Sequence, residues 1–329
     1  MIRELFRYFH RVSHDPGFRM FQDDLAQGVY EGIGKCASKH ANELEFLDAF
    51  IGALDSRSHD RLQIHARRIH GKRSFVQFRY HDQPTTKELG DTALITCATY
   101  GGSVVYERLS LIQHKVIRGG HVSIDPAQLF LLKNFPQFTS DCGILRSKTP
   151  AKLTDFERAV GAFGFFTDDA EFIYSSAERL AHAIGATTTK ASREQVCRAF
   201  SRNYRDDNNR GGGFFGEHLL AWQHPKYFER YMMHMGDFLG DPAMFQHAAG
   251  GTRASTACSD LHEFTHDLAG LRLGGLVSFD GTTADHAART IAQKCLRLAR
   301  IDGIPVQLDD DNNELESDMV IIVAHVSLE

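Results

Sequence analysis

The sequence predicts an α/β protein in which helices flank a central mixed sheet, with extra helices at the N-terminus and an α/β extension at the C-terminus. Three observations predict this class: a hairpin-like stretch at residues 87–115, an amphipathic helical stretch at residues 42–54, and further helix-like and strand-like stretches after the hairpin. Helices and strands that alternate along a chain bury their apolar faces best when the helices cover a sheet.

The hairpin-like stretch combines two apolar strands with a tight turn. Residues 92–100 are rich in threonine and other residues common in strands, and Gly101 and Gly102 provide the positive φ angles of a short turn. Asp91 precedes the first strand, whereas Gln113 and Lys115 lie late in the second. Burial of apolar surface alone would not place polar groups there. We therefore expect a functional site at this end of the hairpin.

This arrangement resembles the PD-(D/E)XK superfamily of nucleases, which have the restriction-endonuclease-like fold. The resemblance implies that Asp91 corresponds to the aspartate at the strand start, Gln113 to the second acidic position and Lys115 to the lysine. Gln113 departs from the pattern because its amide can bind a hard cation through oxygen but brings no charge. The flanking letters ELGD and IQHK look most like nucleases of bacterial anti-phage systems.

The resemblance implies a Mg²⁺-dependent (or Mn²⁺-dependent) endonuclease that hydrolyses phosphodiester bonds of DNA, with double-stranded DNA favoured. Asp91, Gln113 and Lys115 are the predicted catalytic residues, and Lys115 would orient the attacking water and stabilise negative charge. Asp91, Gln113 and Glu43 are the predicted metal ligands. Glu88 is either a supporting ligand or a surface charge.

Glu43 is included because the helix before the first core strand often carries a metal-binding glutamate in this superfamily. Residues 42–54 have the apolar spacing of an amphipathic helix, and Asn42 is a plausible N-cap. Glu43 and Glu45 both lie in its first turn, and we favour Glu43 as the ligand. The alternative is that both glutamates only complement the helix dipole.

Composition indicates a cytoplasmic protein without a membrane partner. The chain has 329 residues, of which 42% are hydrophobic and 24% charged, as in soluble globular proteins. No apolar run is long enough to span a membrane, and residues 1–15 contain no cleavable apolar core. The six cysteines are scattered without a C-x-x-C pair, which argues against a disulfide framework or a cysteine-based zinc site.

Charge is distributed unevenly although the net charge is only −5. Residues 57–118 contain about eleven Lys or Arg against about five acids, and residues 302–318 contain about seven acids without a Lys or Arg. A basic stretch around the predicted site suits a phosphate-bearing substrate. The alternative is an ordinary solvated surface.

The chain divides into a helical segment at residues 1–37, a nuclease-like domain at 38–188 and a C-terminal α/β extension at 189–329 that would bind a partner or regulate. We expect the N-terminal helices to break at Pro16. Further predicted strands lie at residues 61–69, 74–80, 170–175 and 319–326, and further helices at 126–135, 177–184 and 283–300. Residues 81–90 are predicted to be a turn-rich connection.

A competing motif lies in the predicted extension. His262, Glu263 and His266 form an H-E-x-x-H pattern, which on a helix places two imidazoles on one face for Zn²⁺ and a glutamate as general base. It predicts a zinc metalloprotease. A third ligand is not obvious: Asp280, Asp285 or His286 would have to serve. The alternative is that the pattern arises by chance on a helix with partly exposed histidines, since the chain contains 18 histidines.

The resemblance also implies a role in anti-phage defence. Activity would then be held back by a homo-oligomeric state or by a partner such as an SMC-like or other ATPase sensor. A further alternative is a subunit that binds nucleic acid and keeps the nuclease fold but lost activity at Gln113.

Overall fold

The computed structural model describes residues 2–71, 74–140, 147–155, 157–200, 258–279, 282–301, 304 and 318–329. Its helices are α1 Ile2–His14, α2 Pro16–Ala37, α3 Glu43–Leu54, α4 Pro126–Asn134, α5 Ala177–Ile184, α6 Arg193–Cys197, α7 Leu261–Ala269 and α8 His286–Ala299. Its strands are β1 Arg57–His59, β2 Leu62–Ile69, β3 Phe75–Tyr80, β4 Gln83–Glu88, β5 Thr92–Tyr100, β6 Ser103–Ile117, β7 His121–Ser123, β8 Phe138–Ser140, β9 Ser147–Ala151, β10 Gly161–Thr167, β11 Phe172–Ser176, β12 Lys190–Ser192, β13 Cys258–Ser259, β14 Gly275–Phe279, β15 Thr282–Thr283 and β16 Met319–Ser327.

A large mixed sheet forms the centre of the fold, as predicted. Its strand order is β1-β2-β16-β5-β6-β10-β11-β13, and β14 pairs with the first half of β6. β5 and β6 form the predicted antiparallel hairpin, which turns at Gly101 and Gly102 with φ angles of 58° and 70°. β10 runs parallel to β6, and β16 runs parallel to β5.

Helices cover both faces of this sheet. α1, α2, α3 and α7 pack on one face, where Phe18 and Phe50 are fully buried. α4, α5 and α8 pack on the other, where Leu129 and Ile291 belong to the core. A local capping residue explains the start of α2: Asp15 accepts a hydrogen bond from the Gly17 amide, and this cap with Pro16 accounts for the predicted break.

The strand β16 lies in the middle of the sheet, between β2 and β5. Its residues from Met319 to Val326 are all buried, because a central strand covered on both faces needs an almost continuous apolar sequence. Strands from both sides of the predicted boundary at residue 188 therefore share one sheet. The division of the chain into three segments stays a prediction.

A smaller sheet corrects the expectation for residues 81–90, which were predicted to be a connection. Residues Gln83–Glu88 form β4 instead, paired antiparallel with β3 in the sheet β4-β3-β8-β9. The turn between β3 and β4 places His81 and Asp82 at φ angles of 48° and 61°. Pro84 is tolerated because β4 is an edge strand, where one missing N–H donor breaks no ladder.

None of the helices in the described ranges combines the length and the apolar character needed to cross a membrane.

Candidate functional site

Asp91 is fixed at the point where three strands meet. Its amide donates to the Ile112 carbonyl of β6 at 2.9 Å, and its carbonyl accepts from the Val320 amide of β16 at 2.9 Å. Gly90, just before it, has a φ of 156°, and a Cβ there would lie 3.2 Å from the Ile112 carbonyl oxygen. The close approach of the two backbones thus requires glycine at this position.

The Asp91 carboxylate faces β6 and receives two hydrogen bonds on one oxygen. Its Oδ2 accepts from the main-chain amide of His114 at 2.8 Å and from the Gln113 side-chain amide. Burial raises the pKa of Asp91 to about 7, although the Lys115 charge and the His114 amide act in the opposite direction. The negative charges of Glu43 and Glu88 raise this pKa further. The positive charge and hydrogen-bond donors around Asp91 therefore do not offset the effect of its burial.

Gln113 and Lys115 project from the same face of β6, since alternate residues of a strand share a face. The Lys115 Nζ lies 3.3 Å and 3.4 Å from the two carboxylate oxygens of Glu43. Glu43 is the first residue of α3. The site thus receives side chains from three elements: α3, the start of β5 and the second half of β6.

The cap of α3 explains why Glu43 and not Glu45 contacts Lys115. The Asn42 side chain accepts from the amides of Leu44 and Glu45, and Glu45 Oε2 accepts from the Asn42 amide at 2.7 Å. The Glu45 carboxylate is engaged in this reciprocal cap. The predicted helix and its Asn42 cap are confirmed, and the geometry separates the two glutamates that the sequence left equivalent.

The resemblance implies a metal-binding role for the backbone carbonyl of His114, whereas it is the His114 amide that supplies one of the two donors to Asp91. Its ring points to the opposite, apolar face of the sheet, where it stacks on Phe166 with centroids 5.3 Å apart. The ring Nε2 lies 3.0 Å from Thr92 Oγ1. Burial, assisted by the Lys115 charge, lowers the pKa of His114 to about 3, so the ring is neutral. Gly164 leaves room for it, because a Cβ there would lie 2.7 Å from His114 Nδ1.

Glu88 lies at the edge of the site. It is the last residue of β4 and pairs in register with Phe75 of β3. Its main-chain carbonyl accepts from the Gln128 side chain at 2.7 Å, which holds the strand end against α4. Its charge reaches Asp91, as the raised pKa of that carboxyl shows.

The donor atoms of the site fit a hard divalent cation. Asp91 and Glu43 offer carboxylate oxygens, and Gln113 offers an amide oxygen while its nitrogen serves Asp91. Mg²⁺ prefers oxygen ligands and retains several waters, so a small oxygen set suffices. Within the described ranges no group of three or more His, Cys, Asp or Glu side chains is placed to hold a metal.

The H-E-x-x-H motif lies on α7, far along the chain from this site. His262 is 67% exposed, and its Nε2 lies 2.8 Å from Asp23 Oδ1 of α2. His266 Nδ1 lies 3.6 Å from Asp267 Oδ1. Asp285, one of the candidate third ligands, is instead the N-cap of α8.

Of the candidate third ligands, Asp285 is already engaged, because its carboxylate accepts from the amides of Thr154 and Ala288. His286 is the first residue of α8, and Asp280 lies outside the described residues. The motif therefore has its two histidines on one helix without a defined third ligand among the residues described.

A second buried carboxylate, Glu107 in β6, was not predicted. Its Oε1 accepts from Gln293 Nε2 of α8 at 2.9 Å, and its Oε2 has no hydrogen-bond partner within 3.5 Å. Burial raises the pKa of Glu107 to about 7, opposed by the Arg289 charge. Glu107 lies six residues before Gln113 in β6, roughly 20 Å away along the strand, and its carboxylate contacts α8 through Gln293.

The structure thus brings together all four residues that the sequence singled out, in two hydrogen-bonded pairs: Asp91 with Gln113, and Lys115 with Glu43. An acid, an amide, a lysine and a second acid at the end of a hairpin are the groups that metal-assisted phosphodiester hydrolysis employs. Comparison with known proteins gave no match to a family model, to a curated protein or to a solved structure.

Proposed function

We propose that the chain is a metal-dependent endonuclease that hydrolyses phosphodiester bonds of DNA. The observation that carries the proposal is the convergence of Glu43, Asp91, Gln113 and Lys115 from α3, β5 and β6. Glu43 and Lys115 meet there although they are 72 positions apart in the chain, so their contact depends on the tertiary fold. A buried carboxyl with a perturbed pKa, as Asp91 has here, is typical of functional sites.

The order of elements around the site supports a restriction-endonuclease-like fold as part of this proposal. α3 precedes the hairpin β5–β6, α4 follows it, and β10 then returns parallel to β6. This is the order of helix, strands, helix and strand that the resemblance implies. β16 is an addition to that order, inserted on the other side of β5.

Asp91, Glu43 and Gln113 would hold the metal through oxygen. Bound Mg²⁺ would supply the charge neutralisation and the activation of water that phosphodiester hydrolysis requires. Asp91 must be ionised to serve, and its pKa of about 7 places that ionisation near neutral pH. Once Glu43 is engaged elsewhere, the Lys115 ammonium is left to donate to a water or a phosphate oxygen.

The test is cleavage of supercoiled plasmid with Mg²⁺ or Mn²⁺ by the parent chain, Lys115→Ala and Lys190→Ala. Lys190 is the matched control because it is an exposed lysine in β12, outside the site. We expect cleavage by the parent and by Lys190→Ala, and its loss in Lys115→Ala with an unchanged unfolding temperature. Equal cleavage by all three would refute the assignment.

The mutual pairing of the four groups favours one second candidate, a subunit that binds nucleic acid without cleaving it. Gln113 satisfies Asp91, and Glu43 satisfies Lys115, without any cation. Such a site needs no metal to be stable. Binding of DNA with no metal-dependent cleavage by the purified chain would favour this candidate.

We extend the proposal to bacterial anti-phage defence on the strength of the ELGD and IQHK sequences alone, which is an argument by analogy. On this view a homo-oligomer or an ATPase sensor subunit restrains the nuclease. Measurement of the oligomeric state with and without DNA tests the first of these. Co-purification with an ATPase tests the second.

A further inference from the structure

The outer face of β3 carries a row of three side chains, Phe75, Gln77 and Arg79, which we name the β3 row. The intervening residues Val76 and Phe78 point inward and are buried. An outward face of this kind is normally polar throughout. Phe75 departs from that rule, because its side chain is 40% exposed.

The side chains of the β3 row have no polar or aromatic partner among the described residues. Among the described residues, none makes a side-chain hydrogen bond, an ion pair or a ring contact with Phe75, Gln77 or Arg79. A single exposed apolar residue is ordinary. An aromatic ring, an amide and a guanidinium in consecutive outward positions of one strand are together the groups that bind a nucleobase and a phosphate.

Three other cations near the site, all among the described residues, already have partners. Lys87 pairs with Asp125, and Lys115 pairs with Glu43. The Arg118 guanidinium donates to the Ala41 carbonyl. A polyanion that approaches Asp91 therefore meets Arg79 as a cation with no carboxylate partner among the described residues.

The β3 row leads to the site. Phe75 is the register partner of Glu88, and side chains of partner residues in antiparallel strands lie side by side. Glu88 in turn is close enough to Asp91 to affect its ionisation. Consecutive members of the row are about 6.8 Å apart along the strand, so the row extends roughly 14 Å from the edge of the site.

We infer that the β3 row binds a single-stranded segment of the DNA substrate next to the Asp91 site, with Phe75 stacked on an unpaired base and Arg79 on a phosphate. Gln77 hydrogen-bonds a base edge between them. The partner is single-stranded because a ring stacks on a base only when that base has left the duplex stack. The inference rests on the proposed DNA nuclease and adds the form of DNA that it takes.

The experiment measures the affinity of the full-length chain for fluorescein-labelled dT20 and for the dA20·dT20 duplex, by anisotropy in EDTA. The variants are Phe75→Ala and Arg79→Ala, with Tyr100→Ala and Arg61→Ala as matched controls. Tyr100 is also 40% exposed, and Arg61 is exposed at the same end of the sheet as Tyr100. That end is about 30 Å from Asp91 along β5.

We expect Phe75→Ala to weaken binding of dT20 by about fivefold or more and to leave duplex binding unchanged. Arg79→Ala should reduce the slope of log K against log salt by about 0.7. Phe75→Trp guards against a folding defect: it should retain affinity, and its fluorescence, corrected for the single native tryptophan, should be quenched by dT20.

Equal losses in Phe75→Ala and Tyr100→Ala, or an equal loss for duplex and single strand, would overturn the inference. If cleavage disappears in Lys115→Ala while Phe75→Ala binds dT20 like the parent, the nuclease proposal stands and the inference about the β3 row is wrong. If binding of dT20 depends on Phe75 but no cleavage occurs, the β3 row binds single-stranded DNA and the nuclease proposal is wrong.

Discussion

The side-chain amide of Gln113 donates to the Oδ2 of Asp91, the same oxygen that accepts the His114 amide. A carboxylate at position 113 would instead face Asp91 with like charge. Because Gln113 is neutral and donates a hydrogen bond, Asp91 has a partner in the absence of a cation. With Gln113 in place of an acid, the site has two carboxylates, Asp91 and Glu43.

Gln113→Glu is expected to destabilise the metal-free protein and to tighten its binding of a divalent cation. Loss of a hydrogen bond to a charged group costs about 1.5–3 kcal/mol, and an added carboxylate ligand should lower the Kd for Mn²⁺ by about tenfold. Urea unfolding in EDTA and calorimetric titration with Mn²⁺ measure the two effects. Gln63→Glu, at an exposed position of β2, is the control, and equal Mn²⁺ affinities in both variants would contradict the prediction.

Asp91→Asn should abolish stabilisation by Mg²⁺ or Mn²⁺. A cation that binds only the folded chain stabilises it by about 2.7 kcal/mol at a concentration one hundred times its Kd. Thermal unfolding with and without the cation at pH 7.5 measures this difference. Asp82→Asn, in the turn between β3 and β4, should keep the full response. A response that survives in Asp91→Asn would place the cation elsewhere.

Glu107→Gln should remove part of the pH dependence of stability. The folded-state pKa of Glu107 is raised from 4.5 to about 7, so the folded protein binds the proton more tightly than the unfolded chain does. The stability contributed by Glu107 is thus complete below pH 4.5 and is lost as the pH rises through 7. At about 1.36 kcal/mol per unit of pKa, the loss is about 3 kcal/mol.

Urea unfolding of the parent and of Glu107→Gln at pH 5 and pH 8 measures this effect. We expect the variant to gain stability relative to the parent at pH 8 and not at pH 5. Glu31→Gln, an exposed glutamate of α2, should follow the parent at both values. A constant difference between parent and Glu107→Gln would show that Glu107 is ionised throughout.

Ile322→Ala should destabilise the fold by about 2–5 kcal/mol, because the residue is fully buried in β16 at the centre of the sheet. Ile322→Val removes one methylene and should cost about 0.5–1.5 kcal/mol. Urea unfolding of the two variants measures the series. A cost below 1 kcal/mol for the alanine variant would mean that β16 is not a central strand.

His262→Ala should change stability by less than about 0.5 kcal/mol, because the imidazole is exposed and its ion pair with Asp23 lies at the surface. Metal analysis of the purified parent and variant gives a direct comparison. We expect no stoichiometric zinc in either. Zinc bound at one equivalent by the parent and lost in the variant would establish the metalloprotease alternative.

Local sequence patterns predicted most of the elements around the site. The hairpin β5–β6 and the helix α3 were predictable because a Gly-Gly turn and an Asn cap act through neighbouring residues. The turn also fixes the register that brings Gln113 opposite the start of β5. The roles of Asp91, Gln113, Lys115 and Glu43 stay predictions until cleavage is measured.

The features that the sequence did not predict depend on distant parts of the chain. β4 is polar and contains Pro84, and it is a strand only because β3 offers it a ladder. The position of β16 depends on a pairing with β5 that no local pattern encodes. Glu107 gave one usable indication: it stands beside a second charged residue, Arg108, in the middle of a strand, where burial of charge requires polar partners.

The position of β16 has a consequence for synthesis on the ribosome. Residue Val320 holds the Asp91 carbonyl, yet it is translated long after β5 and β6 have left the exit tunnel. Until then the edge of β5 lacks its neighbour, and the strand that bears the site acid is open on one side. A nascent chain therefore carries an unfinished site until residues 319–327 have been synthesised and have joined the sheet.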